Sequence, residues 1–216
     1  MTINVFLIFT VVLSTSAQKC YPSGCNGEQN TLCKYPSTDP SPNCGQVEST
    51  TLTQEEKDEI LKAHNDRRAW VANGEVDGQP AGIIPPLQWD EELAELARRW
   101  ALQCEIGHDK CRYVDRFSVG QNMMWRAEGS GYNQNLTDMT DGWFSEHVNF
   151  DGSGVGKFVW QDEPQIGHYT QLIWGATTYV GCGVLRYYKD NWYNTYFLCD
   201  YGPHGNVIGW PVYETT

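Results

Sequence analysis

The chain has 216 residues, eight cysteines, nine tryptophans, twelve tyrosines and a formal charge of −12. A balance this acidic is repelled by phosphate backbones and anionic headgroups, so neither nucleic acid nor a membrane surface is an expected partner. The length suits a single domain able to bury a sizeable core.

Residues Met1 to Ala17 carry no charge and hold an apolar stretch from Val5 to Leu13, followed by Ser14, Thr15, Ser16 and Ala17. This pattern predicts a signal peptide over residues 1–17, cut before Gln18, and hence a secreted, extracellular protein. No later segment approaches the ~20 apolar residues of a membrane helix, so no membrane span is expected. Residues 18–52 are rich in Pro, Gly, Ser, Asn and Thr and contain Cys20, Cys25, Cys33 and Cys44. Without helical or strand periodicity, they are expected to form an irregular, cross-linked arm ahead of a folded domain over residues 53–216.

Thr53-Gln54-Glu55-Glu56 reads as a capping box, and Ile60, Ala63, Arg67 and Trp70, with Leu61, His64 and Val71 beside them, carry helical spacing up to Gly74. A second helix is expected from the cap Asp90, with Leu93, Leu96, Ala97, Trp100, Ala101 and Cys104 as its buried stripe and Gly107 as its stop. A third, shorter helix is expected over Met139 to Val148, and a strand over Phe117 to Trp125. Val180 to Tyr188 and Tyr193 to Tyr201 read as a hairpin with the four-residue loop Lys189-Asp190-Asn191-Trp192, which sets Cys182 opposite Cys199. Helices before and strands after imply an α+β domain. Eight cysteines in an exported chain predict four disulfides, in any of 105 pairings. Asn135-Leu136-Thr137 is a glycosylation sequon in a polar, exposed stretch.

Of five histidines, His64 is expected to be a buried, hydrogen-bonded helix residue and His204 an exposed turn residue. His147 adjoins Glu146 and so points elsewhere on a helix. His108 and His168 sit at rigid, polar chain ends of the kind that line clefts. Four stretches then carry a resemblance: Gly167 to Thr177 (GHYTQLIWGAT), Tyr196 to Val207 (YFLCDYGPHGNV), Ala63 to Arg68 (AHNDRR) and Gly120 to Trp125 (GQNMMW). Together they closely resemble the CAP superfamily, and the amino-terminal cysteine arm is similar to that of its antigen 5 branch, the arthropod venom and saliva allergens.

The resemblance implies a three-layer α-β-α sandwich with a central antiparallel sheet. It implies the bridges Cys20–Cys33, Cys25–Cys111, Cys44–Cys104 and Cys182–Cys199, and a cleft shared by His108, Gln121, Glu146 and His168. Gln121 stands where many relatives carry glutamate, and an amide is neither a base nor a charge. Two neutral imidazoles, His108 and His168, can bind zinc, with Glu146 as a third ligand or as acceptor for a bound water. No cofactor is required on this reading.

The expected function is that of a secreted, monomeric, non-enzymatic allergen acting on a host or prey target, binding a divalent metal or a small apolar ligand such as a lipid. Met123-Met124-Trp125 and Met139-Trp143-Phe144 are the segments that could line a lipid groove, with plain core as the stronger reading. A channel-modulating toxin is the first alternative, although relatives of that kind carry a further cysteine-rich module after the domain and no cysteine follows Cys199 here. A metal-assisted hydrolase using Glu146 and His168 is the second. Against it stand the absence of an HExxH or serine-nucleophile motif and the amide at Gln121.

Overall fold

The computed structural model describes Cys20, Cys25 and residues 27–216, so the signal peptide read over residues 1–17 lies outside the described residues. In chain order the elements are α1 (Thr31–Lys34), β1 (Gln46–Ser49), α2 (Gln54–Ala72), β2 (Gly82–Ile83), β3 (Gln88–Trp89), α3 (Glu91–Ala101), β4 (Tyr113–Val114) and β5 (Phe117–Ser118). They continue with β6 (Gly120–Glu128), α4 (Leu136–Phe144), α5 (Gly167–Ile173), β7 (Tyr179–Lys189), β8 (Trp192–Gly202) and β9 (Glu214–Thr215).

Strands β7 and β8 form the centre of the sheet, and their period of two builds a core on each face. Val180, Cys182, Val184, Phe197, Cys199 and Tyr201 point to one side, where α2, α4 and α5 cover them with Ile60, Met139, Trp143 and Leu172. Leu185, Tyr187, Tyr196 and Leu198 point to the other, against Ala97, Trp100 and Ala101 of α3. The result is the expected three-layer α-β-α sandwich, of α+β class. Glycine is required at two places on the α3 face: a Cβ on Gly181 or Gly183 would collide with the α3 backbone at Ala94 or Arg98. Their bare backbone lets the helix lie directly on the sheet.

The sheet order is β1-β7-β8-β6 with all three of these pairings antiparallel, and the two-residue β3 adds to β7 in parallel. Two of these strands depart from expectation. The arm is not wholly irregular, since β1 within it pairs with β7 through Gln46 and Val47. The arm gains an edge because β8 occupies only one side of β7. The hairpin loop is two residues, not four: Lys189 and Trp192 still pair, and Asp190 and Asn191 turn the chain with φ of 52° and 65°. Such residues tolerate the left-handed region that a type I′ turn demands.

The helices also shift in detail. The capping box of α2 is present, with Thr53 Oγ1 accepting from Glu56 N–H at 3.1 Å and Glu56 Oε2 accepting from Thr53 N–H at 2.8 Å. Its buried face, however, is Ile60, Ala63, His64, Arg68 and Val71, while Trp70 is exposed and Arg67 pairs with Asp141. Helix α3 begins at its Asp90 cap but ends at Ala101, well before Gly107, because Cys104 takes a φ of 55° as it turns back to Cys44. Helix α4 starts earlier than expected, capped by Asn135, and yields to a 3₁₀ turn over Ser145–Asn149. The predicted strand over 117–125 splits, β5 pairing with β4 and β6 with β8.

The disulfides join Cys20 to Cys33, Cys25 to Cys111, Cys44 to Cys104 and Cys182 to Cys199, the pairs the resemblance implies. Two of them tie the arm to the segment after α3, closing separations of 86 and 60 residues. Among the described residues no helix is long and apolar enough to cross a membrane.

Candidate functional site

The segment between Cys104 and Cys111 is pinned so that His108 has little freedom. The carbonyl of Gly107 accepts from the Trp100 indole and from the Tyr196 hydroxyl, both at 2.7 Å, and its N–H donates to that hydroxyl at 3.2 Å. The Cys25–Cys111 bridge fastens the far end. His168 is the second residue of α5, and its ring lies nearly parallel to the buried Trp143 indole at 6.3 Å. Both histidines and Gln121 line one cavity of about 240 Å³, together with Trp160 and Asn206 from the loops.

Nδ1 of His108 meets Oε1 of Gln121 at 2.9 Å. Burial lowers the His108 pKa below its usual value; the Gln121 contact opposes the shift, and the positive Arg112 and neighbouring His168 reinforce it. Behind Gln121 lie two acids. Burial, then the nearby charge of Asp109, pushes the fully buried Asp200 carboxyl well above the ordinary carboxylate range.

Glu146 stands behind His168, outside the cavity lining. Its Oε1 contacts His168 Nδ1 at 2.6 Å, and its Oε2 accepts from the backbone N–H of His168 at 2.9 Å and of Tyr169 at 3.1 Å. Helix α5 has no side-chain cap from Ile166, the residue that precedes it. A carboxylate from 22 residues upstream in sequence therefore caps its first turn, where the helix dipole favours an anion. Glu146 therefore faces the first turn of α5 and the Nδ1 of His168 rather than the cavity.

The other end of α5 is held by a residue that spacing did not single out. The fully buried Arg68 donates to the carbonyls of Leu172 at 2.9 Å and of Trp174, Thr177 and Pro85 at 3.0, 3.0 and 2.8 Å. Burial draws its pKa down to about 9, which still leaves it charged at neutral pH. Opposite charges thus clamp the two ends of the helix that carries His168, each matched to the dipole it faces. Arg68 belongs to the AHNDRR stretch, so its motif was visible although its role was not.

The remaining histidines sit as their sequence contexts predicted. His64 is buried, with Nδ1 on the Ile60 carbonyl and Nε2 on the Tyr201 hydroxyl, both at 2.8 Å. Asn122 continues that network, donating to Tyr201 Oη at 3.3 Å and to the His168 carbonyl at 3.0 Å. His147 contacts the Phe144 carbonyl through Nδ1, and His204 is exposed. Met139, Trp143 and Phe144 are core, not groove. The cleft between α2 and α4 is lined instead by charged groups, among them Glu59, Lys62, Asp66 and Arg67. Asn135, at the mouth of that cleft, is exposed.

A family profile described as "Cysteine-rich secretory protein family" (CAP) matches residues 61–201. Venom allergen 5 of Brachyponera chinensis is 41% identical over 196 residues, covering 87% of this chain and 98% of that protein. Venom allergen 3 of Solenopsis invicta is 42% identical over 199 residues, covering 88% and 85%. Among solved structures, one described as "Crystal structure of NaASP2 with Zn2+" superimposes with a TM-score of 0.65 at 24% identity, covering 82% of this chain and 90% of that one, a likeness of fold. Profile, relatives and architecture agree: the chain belongs to the CAP family, as an antigen 5-like member.

Proposed function

We propose that the chain is a secreted, non-enzymatic antigen 5-like protein of a venom or salivary secretion, whose cleft takes a divalent cation through His108 and His168. One observation carries the metal reading. Each ring has its Nδ1 engaged by an oxygen of Gln121 or Glu146, and the Nε2 of each has no hydrogen-bond partner among the described residues. A neutral imidazole that donates its other N–H to an oxygen is the usual form of a zinc-ligating histidine. The solved relative whose name includes Zn2+ supports zinc as the first ion to test.

The donor set fits a weak site. Among the described residues no three His, Cys, Asp or Glu side chains stand together as a ligand group, so two imidazoles would hold the ion. A bound ion supplies positive charge and Lewis acidity at the cleft. The chain's own groups offer little to exploit it: every cysteine is in a disulfide, Gln121 is an amide, and Glu146 is taken up by three N–H groups. That arrangement supports binding rather than hydrolysis. Calorimetric titration of the metal-free protein with zinc is expected to show one weak site, weakened about tenfold or more in His108→Ala and in His168→Ala. Equal affinity in wild type and both variants rejects the reading.

We also propose that Asn135 carries an N-glycan. Its Oδ1 accepts from Thr137 N–H at 2.7 Å as the cap of α4, while the side chain remains exposed. Intact mass of protein from a eukaryotic secretory host should fall on treatment with a peptide N-glycosidase, and Asn135→Gln should abolish that change. An unmodified wild-type mass refutes it. A monomer acting on a host or prey target completes the reading, and sedimentation velocity tests the monomer.

A further inference from the structure

The amide at Gln121 has a buried partner in the adjacent strand. Gln121 on β6 and Asp200 on β8 are direct neighbours in register, and Gln121 Nε2 donates to Asp200 Oδ1 at 2.9 Å. The same nitrogen lies 3.4 Å from Oδ1 of Asp109. Asp109 is itself buried, accepting from the Thr31 hydroxyl at 2.7 Å and from the Arg112 guanidinium at 2.9 Å. The other oxygen of Asp200, Oδ2, is buried without a hydrogen-bond partner among the described residues. A buried, partly unpartnered acid is a costly feature, and packing alone would be better served by an apolar side chain.

We propose that Asp200 is a positioning residue of the cleft: acting through the Gln121 amide, it holds His108 as the Nδ1–H tautomer and so leaves the Nε2 lone pair as the ring's free acceptor. An amide is one-sided, its NH₂ only donating and its carbonyl only accepting. Asp200 takes the NH₂. A proton on its unpartnered Oδ2 would leave Oδ1 a carbonyl acceptor, so the polarity is the same in either form. Only the carbonyl of Gln121 then remains for His108, and His108 must donate from Nδ1. A carboxylate at position 121 would accept from either side and need no such help. Gln121 and Asp200 thus work as a pair, which keeps an acceptor facing the histidine without a charge at position 121.

The value of this for metal binding rests on the cation reading above, but the tautomer is a property of the metal-free protein, so either can fail alone. Long-range ¹H–¹⁵N correlation spectra of histidine-labelled, chelator-treated protein at neutral pH report which ring nitrogen is protonated. Wild-type His108 is expected as Nδ1–H, favoured about tenfold, the worth of one ordinary hydrogen bond. Asp200→Asn or Asp200→Ser leaves the amide held only by its longer 3.4 Å contact to Asp109, and that preference is expected to fall severalfold. In the double variant Gln121→Glu/Asp200→Asn the introduced carboxylate faces His108, and the Nδ1–H form is expected to return. His168, held by Glu146, should stay Nδ1–H in every variant and so reports an intact cleft. An Nε2–H form in wild type, or an unchanged His108 in the Asp200 variant that retains the His168 signature, overturns the proposal.

Discussion

Arg68→Met is expected to lower the free energy of unfolding by about 3–5 kcal/mol, the range for breaking a buried charged network and leaving its partners unpaired. The guanidinium is fully buried and its four backbone acceptors come from three different segments, at Pro85, at Leu172 with Trp174, and at Thr177. Methionine fills much of the volume but satisfies none of those carbonyls. Lysine keeps the charge on a single nitrogen and cannot span the set, so Arg68→Lys should recover only part of the loss. Urea denaturation with an unchanged m-value is the measurement. A loss below about 1 kcal/mol in Arg68→Met would mean that the carbonyls find water, and that the clamp on α5 is dispensable.

Acid should remove stability through His64, and the sign follows from its surroundings. Burial drops the His64 pKa from 6.5 to about 4, against the opposing Ile60 hydrogen bond. The charge of Arg68 adds to the drop and that of Asp141 resists it. As pH falls below about 6.5 the unfolded chain binds a proton at this ring while the folded protein does not. The contribution is therefore complete above that value and is lost progressively until pH 4, amounting to about 3 kcal/mol over the whole window. His64→Gln removes the titration, so wild type minus variant stability should shrink by that amount between pH 7 and pH 4. Other acids, Asp200 among them, cancel in the difference. A difference that stays flat with pH would show that His64 takes up its proton over the same pH range in the folded protein as in the unfolded chain.

Local physics made much of the fold legible. The Thr53–Glu56 box and the Asp90 cap are encoded within four residues, and the alternation in β7 and β8 within a dozen. The hairpin was readable, but its loop length was not. Asp190 and Asn191 turn tightly only because Lys189 and Trp192 remain paired in the ladder. The strand in the arm was hidden for a related reason: Gln46–Ser49 is too short and too polar to show a period, and the open edge of β7 makes it a strand.

The site divided in the same way. Gln121 and His168 could be named from motifs and His108 from its place after the second helix and the cleft the resemblance implies, and the three share a cavity. Glu146 could be named too, but its commitment to the first turn of α5 could not be seen. Nothing in residues 145–149 announces that both oxygens will be occupied from another segment. The helical spacing of α2 takes in Arg67 and not Arg68, because two adjacent arginines look alike to a hydrophobic period. The carbonyls that select Arg68 for burial lie as far as 109 residues away.

By itself, then, the amino-acid order determined the acidic charge, the eight cysteines, the capped helices and the β7–β8 hairpin, the last two because they depend on side chains near one another along the chain. Tertiary structure alone decided which arginine is buried, which carboxylate caps α5 and which way the Gln121 amide faces. The physical reason is the directionality of hydrogen bonds. Burial needs only an apolar pattern, but a buried donor or acceptor takes its role from whichever partner the folded chain sets within 3 Å of it.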